Sequence, residues 1–151
     1  MRIIEDDLSG EAIRALLAYH FEQMHVNSPP GMAYVLDIDG LKAPGVSFWS
    51  IWDGDDLLGC GALKELSGDH GEIKSMHTIE ARRGTGIAGR VLDFILAEAR
   101  RRGYGRLSLE TGGSDAVKAA RRLYASAGFT ECEPIPGYGP DHHSFFMTLE
   151  L

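Results

Sequence analysis

Three glycines at the mouth of a strongly periodic apolar run constrain this chain more than any other feature. The stretch Arg82-Arg83-Gly84-Thr85-Gly86-Ile87-Ala88-Gly89 follows a strand-like segment, Glu72 to Thr78. After it, Ile87, Ala88, Val91, Leu92, Ile95, Leu96 and Ala99 recur at helical three-and-four spacing. The glycines therefore fall where a helix begins. A helix N-terminus leaves backbone N–H groups unpaired and carries partial positive charge, so residues without side chains let an anion approach it. Two arginines just before the glycines add full charges. The physical expectation is a phosphate cradle on a strand–loop–helix unit.

The spacing Gly84-x-Gly86-x-x-Gly89 also fits a dinucleotide fingerprint, with Glu110 at about the expected distance downstream. In that fingerprint the first glycine follows its strand directly, whereas here Ile79-Glu80-Ala81-Arg82-Arg83 intervenes. A doubly wound sheet also needs several more strand–helix–strand units than residues 111–151 hold. A nicotinamide-dependent oxidoreductase is thus the weaker alternative. An ATP-binding P-loop is excluded because no Gly-Lys-Ser/Thr follows the glycines.

These residues resemble the GNAT superfamily of acyl-CoA-dependent N-acyltransferases. Its Gln/Arg-x-x-Gly-x-Gly/Ala signature is met by Arg83-Gly84-Thr85-Gly86-Ile87-Ala88. Its C-terminal Leu-Tyr-x-x-x-Gly-Phe motif is met by Leu123-Tyr124-Ala125-Ser126-Ala127-Gly128-Phe129. The segment Glu72-Ile73-Lys74-Ser75-Met76 is similar to a subgroup of bacterial acetyltransferases. Periodicity alone supports an α/β chain. The resemblance implies a mixed, mainly antiparallel central sheet with helices on both faces, in a single domain over residues 1–151.

The resemblance further implies transfer of an acetyl or short acyl group from acetyl-CoA, as co-substrate, to a primary amine of a small molecule or protein. It assigns Met76, His77 and Thr78 to the pantetheine arm through their backbone atoms. Arg83, Gly84, Thr85, Gly86, Ile87 and Ala88 go to the pyrophosphate, and Ser114 and Tyr124 join the cofactor contacts. Tyr124 is the expected general acid, against the plainer expectation of a core tyrosine. Glu72 and Glu110 are candidate bases, against ordinary surface or paired carboxylates. A catalytically silent acyl-CoA-binding module is the alternative from another class.

The remainder of the chain adds boundaries. A formal charge of −7 opposes nonspecific binding to nucleic acid or an anionic membrane and suits a cationic acceptor. Cys60 and Cys132 form neither a ligand-like spacing nor a disulfide framework. Without a long apolar run or a cleavage pattern, cytoplasm is the expected location. His142-His143 lacks a third metal ligand at suitable spacing, so no metal is expected.

Residues 1–5 suggest a strand, and Ser9 is a candidate cap for a helix bearing Ile13, Leu16, Leu17, Phe21 and Met24, with a packed His20 beside that stripe. Asn27-Ser28-Pro29-Pro30-Gly31 ends this helix. The connection to Pro44-Gly45 either shapes an acceptor pocket or serves as a structural or oligomer contact, which leaves a homodimer open. Val46–Trp52 and Leu57–Leu66 read as a hairpin across Asp53-Gly54-Asp55, with Trp49 and Trp52 on opposite faces. On the strand before the cradle, strict alternation puts Glu72, Lys74, Met76 and Thr78 on one face and Ile73, Ser75, His77 and Ile79 on the other.

Overall fold

The computed structural model describes residues 1–26, 38–112, 118–135, 138 and 144–151. The chain runs β1 (Arg2–Glu5), α1 (Glu11–Val26), α2 (Ile38–Leu41), β2 (Val46–Asp53), β3 (Asp56–Ser67) and β4 (His70–Thr78). It continues through α3 (Ile87–Arg101), β5 (Arg106–Gly112), α4 (Lys118–Ser126), β6 (Thr130–Glu131) and β7 (Ser144–Glu150). The strands join in one sheet ordered β1-β2-β3-β4-β5-β7-β6. Among the described residues only β4 and β5 pair in parallel, and every other neighbour is antiparallel.

Both faces of the sheet are covered. On one, α3 buries Ile87, Val91, Leu92, Ile95, Leu96 and Ala99 against Leu63, Ile73, Leu107 and Leu109. Each of the Val, Leu and Ile side chains removed from water contributes roughly 1.5–3 kcal/mol. Gly61 of β3 lets this helix come close, since a Cβ there would stand 2.8 Å from Val91 and 2.9 Å from Ile95. On the other face, Ile13, Leu16 and Leu17 of α1 and Leu41 of α2 pack on Phe48, Cys60 and Ala62. Trp49 is buried and Trp52 only half-buried, with its indole donating to Ser50 Oγ at 2.8 Å.

Two expectations are corrected. Ser9 does not cap α1: its hydroxyl and N–H both donate to Asp7 Oδ1, and the first helical bond runs from Arg14 N–H to the Gly10 carbonyl at 3.2 Å. The neighbouring Asp6 carboxylate takes the Leu8 N–H, so two aspartates organise the turn that serine was expected to close.

The second correction concerns β4. Cys60 pairs with His77 but Ala62 pairs with Lys74, so Ser75 and Met76 together oppose Gly61, and Ser75 has a φ of +55°. This is a β-bulge, and it reverses the facing of everything after it. Glu72, Lys74 and His77 thereby share the α1 face, while Met76 and Thr78 join Ile73 on the α3 face. Strict alternation fails because one extra residue is inserted in the strand. Ser114, residues 27–37 of the long connection, and His142-His143 lie outside the described residues.

Candidate active site

The bulge coincides with a break in the sheet. β4 and β5 share a ladder only from His70↔Arg106 to Ile73↔Leu109. Beyond that point β4 continues to Thr78, while β5 continues to Gly112 bonded on its far side to β7. The facing backbone groups of the two strands are released from each other, and this gap in the ladder forms a slot beside Ser75 and Met76. Backbone donors and acceptors left out of a ladder need other partners, which makes such a slot a place for an extended polar ligand.

On the α3 face, Met76 packs into the α3 core, and Thr78 is cross-strand from Gly59, whose missing Cβ would touch Ile87. The glycine turn stands at the end of this path. Gly84 and Gly86 have φ of +76° and +88°, and nothing lies within 4 Å of a Cβ built at either. Gly86 precedes α3 and supplies no side-chain cap hydrogen bond to the first helical N–H groups. Ile87 is buried, anchoring the first turn to the sheet.

Arg83 is exposed, whereas Arg82 reaches Asp53 at 3.5 Å. Thr85 spends its hydroxyl on the Arg82 carbonyl, which leaves its backbone as the group it offers a ligand. Leu123 of α4 lies 3.9 Å from a Cβ built on Gly89, and this seats α4 against the start of α3.

Tyr124 is the buried residue of α4, with its ring edge-on to Phe129 at 5.7 Å between centroids. Burial alone pushes its hydroxyl well above the usual phenol range. It therefore keeps its proton at neutral pH.

The α1 face of the slot has a different chemistry. Glu72 is 2 % exposed, and its Oε2 accepts from Lys74 Nζ at 3.2 Å and from the Tyr138 hydroxyl. Lys74 also donates to Tyr138 at 2.9 Å and stands 5.4 Å from the centre of that ring. Tyr138 is edge-on to Phe146 at 5.2 Å. Phe146 is the cross-strand partner of Glu110, so Glu110 belongs to this face too. Glu72 is thus a paired, buried carboxylate, while Glu110 is half-buried.

Beyond the bulge the same face holds two histidines. His77 Nδ1 lies 2.9 Å from His20 Nδ1 of α1, and Tyr19 packs edge-on to His77 at 5.8 Å. Burial first, and then the neighbouring His77, lowers His20 to about 3. Burial first, and then Arg83, lowers His77 to about 4. Both rings are neutral at pH 7.

The structure brings Met76, Thr78, the Gly84–Ala88 turn and the helix bearing Tyr124 to one side of the slot, with Glu72, Glu110 and the His77 ring on the other. Sequence reasoning missed Lys74, Tyr138 and the His20–His77 pair. Parity with Glu72 was a signal for Lys74, but nothing local in the chain marks the others.

The Acetyltransferase (GNAT) family model matches residues 12–129. The chain is 48 % identical to the uncharacterised N-acetyltransferase YsnE of Bacillus subtilis, over the whole of both sequences. It is 45 % identical to the uncharacterised N-acetyltransferase YedL of Escherichia coli over 97 % of this chain and 92 % of that one. A solved Klebsiella pneumoniae structure assigned to the acyl-CoA N-acyltransferases superposes with a TM-score of 0.80 at 25 % identity, covering 99 % of this chain and 97 % of the other. The chain belongs to the acetyltransferase (GNAT) family and is an N-acetyltransferase that uses acetyl-CoA as co-substrate.

Proposed function

We propose that residues 1–151 act as one domain that carries the acetyl group from the α3 face to a primary amine waiting on the α1 face, of a small molecule or a protein. The observation that carries this reading is the slot between β4 and β5, which joins a cationic glycine turn on one side to a carboxylate-bearing face on the other.

In this reading the pyrophosphate takes the N–H groups of the Gly84–Ala88 turn and the Arg83 charge. The pantetheine arm lies along Met76, His77 and Thr78, whose freed backbone groups it replaces in the ladder. The thioester carbonyl then meets a backbone N–H at Met76 or His77, which stabilises the developing oxyanion. Glu72 and Glu110 hold negative charge where a cationic amine enters, and Glu110, half-buried where Glu72 is fully buried, passes the ammonium proton to water. The neutral nitrogen attacks the carbonyl carbon, the C–S bond breaks, and Tyr124 gives its proton to the departing thiolate.

The net charge of −7 favours cationic acceptors over nucleic acid. No helix among the described residues is long and apolar enough to cross a membrane, and we propose a cytoplasmic site of action. The test is release of free CoA thiol from acetyl-CoA in the presence of amino acids, polyamines, aminoglycosides, arylalkylamines and a peptide with a free N-terminus. Acceptor-dependent release with stoichiometric N-acetyl product is expected. Binding of acetyl-CoA without transfer to any amine would replace this reading with a silent acyl-CoA-binding module.

A further inference from the structure

The imidazole rings of His20 and His77 have no part in the scheme above, yet they stand beside the bulge on the side from which the amine arrives. His77 Nε2 is buried and has no hydrogen-bond partner among the described residues, and the Ser75 hydroxyl at the bulge is in the same condition. A buried polar atom left without a partner costs about 1–3 kcal/mol, and in a native site it calls for a ligand or a chemical role.

The geometry leaves this nitrogen two forms, a donor or a bare lone pair. Two neutral imidazoles with their Nδ1 atoms 2.9 Å apart share one proton, which one ring donates and the other accepts. If His77 donates from Nδ1, its Nε2 carries a free lone pair. His20, 7 % exposed on α1, holds the ring in place.

The groups facing His77 are His20 and the Tyr19 ring from α1, the buried Cys60 thiol across the ladder on β3, and Arg83 from the glycine turn. Lys74 and Glu72 occupy its own strand face. Arg83 and burial both oppose a positive charge on the ring, so it cannot hold the proton of a free ammonium ion. It suits a later proton. Once nitrogen has bonded to the acyl carbon, its remaining extra proton becomes far more acidic, and a weak base is enough to remove it.

Resting on the acetyl-transfer reading, we propose that His77 Nε2 is a catalytic group. It accepts an N–H of the neutral acceptor amine, aims the lone pair at the thioester, and takes the second amine proton as the tetrahedral intermediate collapses, with His20 as its positioning residue. The protons balance. The ammonium proton leaves to water before attack. The second nitrogen proton goes to His77 as the tetrahedral intermediate collapses, while the thiolate takes one from Tyr124 as C–S breaks. His77 returns its proton to water, and the tyrosinate recovers one.

The test has two arms. Imidazole ¹⁵N–¹H correlation spectra of the free protein at pH 7 should show His77 protonated on Nδ1 with a bare Nε2. A proton on Nε2 overturns the proposal without any variant. With the best acceptor of the amine panel, His77→Gln should lower kcat by roughly 10²- to 10⁴-fold while leaving acetyl-CoA affinity unchanged, and added imidazole should restore part of the rate to His77→Ala.

His20→Gln should show a smaller loss in kcat and a shifted His77 nitrogen spectrum, which a merely structural role would not produce. Wild-type turnover in His77→Gln overturns the assignment and leaves the acetyl-transfer reading standing. A wild-type protein that binds acetyl-CoA and acetylates no amine overturns both.

Discussion

The two sides of the β4–β5 slot are built in opposite ways. On the α3 side the ligand-facing groups are backbone: a turn with two positive-φ glycines and open space where side chains would be, followed by the uncapped start of α3. On the α1 side they are side chains drawn from α1, β4 and the segment at Tyr138, locked together in buried pairs. A cofactor common to many enzymes can be held by main-chain geometry that tolerates sequence change. An acceptor must be told from its competitors by placed side chains. Breaking one side should therefore change binding or rate selectively, whereas breaking the other should also disturb the fold.

The largest selective effect belongs to Tyr124. Tyr124→Phe keeps the ring against Phe129 and nearly all its packing, so melting temperature and acetyl-CoA affinity should hold. Turnover should fall by roughly 10²- to 10⁴-fold, the range for losing a positioned proton donor. A variant with near wild-type kcat would make Tyr124 a core residue and water the acid.

The opposite side answers to Lys74→Met. This removes one member of a pair whose side chains are 9 % and 3 % exposed, and leaves the Glu72 charge in the sheet with only the Tyr138 hydroxyl as a hydrogen-bond partner among the described residues. Orphaning a buried charge costs about 3–5 kcal/mol, and chemical denaturation should read a loss of that order. A loss under about 1 kcal/mol, the worth of a surface pair, would mean that water reaches Glu72.

That contrast also explains what was legible in the sequence. The α3 side is a local pattern: period, glycines and arginines within one short stretch, so the cradle and the buried stripe of α3 could be read residue by residue. The helix on each face and the mixed sheet followed from the two family motifs. The α1 side depends on contacts such as His20 with His77 and Glu72 with Tyr138, which link residues far apart in the chain and leave no periodic trace. The bulge at Ser75 hid it further, since strict alternation put His77 on the wrong side of the strand. Ser9 shows the same limit on a smaller scale: its propensity as a cap was real, but the neighbouring Asp7 took its hydroxyl.

The histidine pair gives the α1 side a pH signature. Folded-state values of about 3 for His20 and about 4 for His77 lie below the ordinary 6.5. The unfolded chain therefore binds more protons than the folded one between these limits. Stability is full above about pH 6.5 and is lost progressively as pH falls toward the folded values. Thermal melts from pH 7.5 to 4 should show a falling Tm, with a shallower slope in His20→Gln. Equal slopes would mean that the carboxylates alone govern the acid limb.

On the α3 side, Gly86→Glu places a side chain and a negative charge at φ +88°, where the phosphate must approach. Forcing a side chain into this left-handed region costs roughly 1–2 kcal/mol of stability. Acetyl-CoA affinity should fall on the order of 100-fold, the equivalent of one or two charge-assisted hydrogen bonds. Calorimetry on the folded variant that returned the wild-type affinity would move the pyrophosphate away from this turn.

The smallest difference separates two adjacent arginines. Arg83 is exposed beside the glycines with no charge partner among the described residues to compete for it, whereas Arg82 is directed back to Asp53 across an exposed 3.5 Å pair. A guanidinium that meets the pyrophosphate makes charge-assisted bonds worth about 1.5–3 kcal/mol, so Arg83→Ala should weaken acetyl-CoA binding by roughly 10- to 100-fold. An exposed ion pair is worth under about 1 kcal/mol, and Arg82→Ala should cost no more than that in affinity or stability. Raising salt should narrow the gap between Arg83→Ala and wild type, since the lost contact is ionic and solvent-facing. Equal, small losses from both substitutions would leave the anion held by backbone N–H groups alone, and the contrast between a main-chain cofactor side and a side-chain acceptor side would then be sharper still.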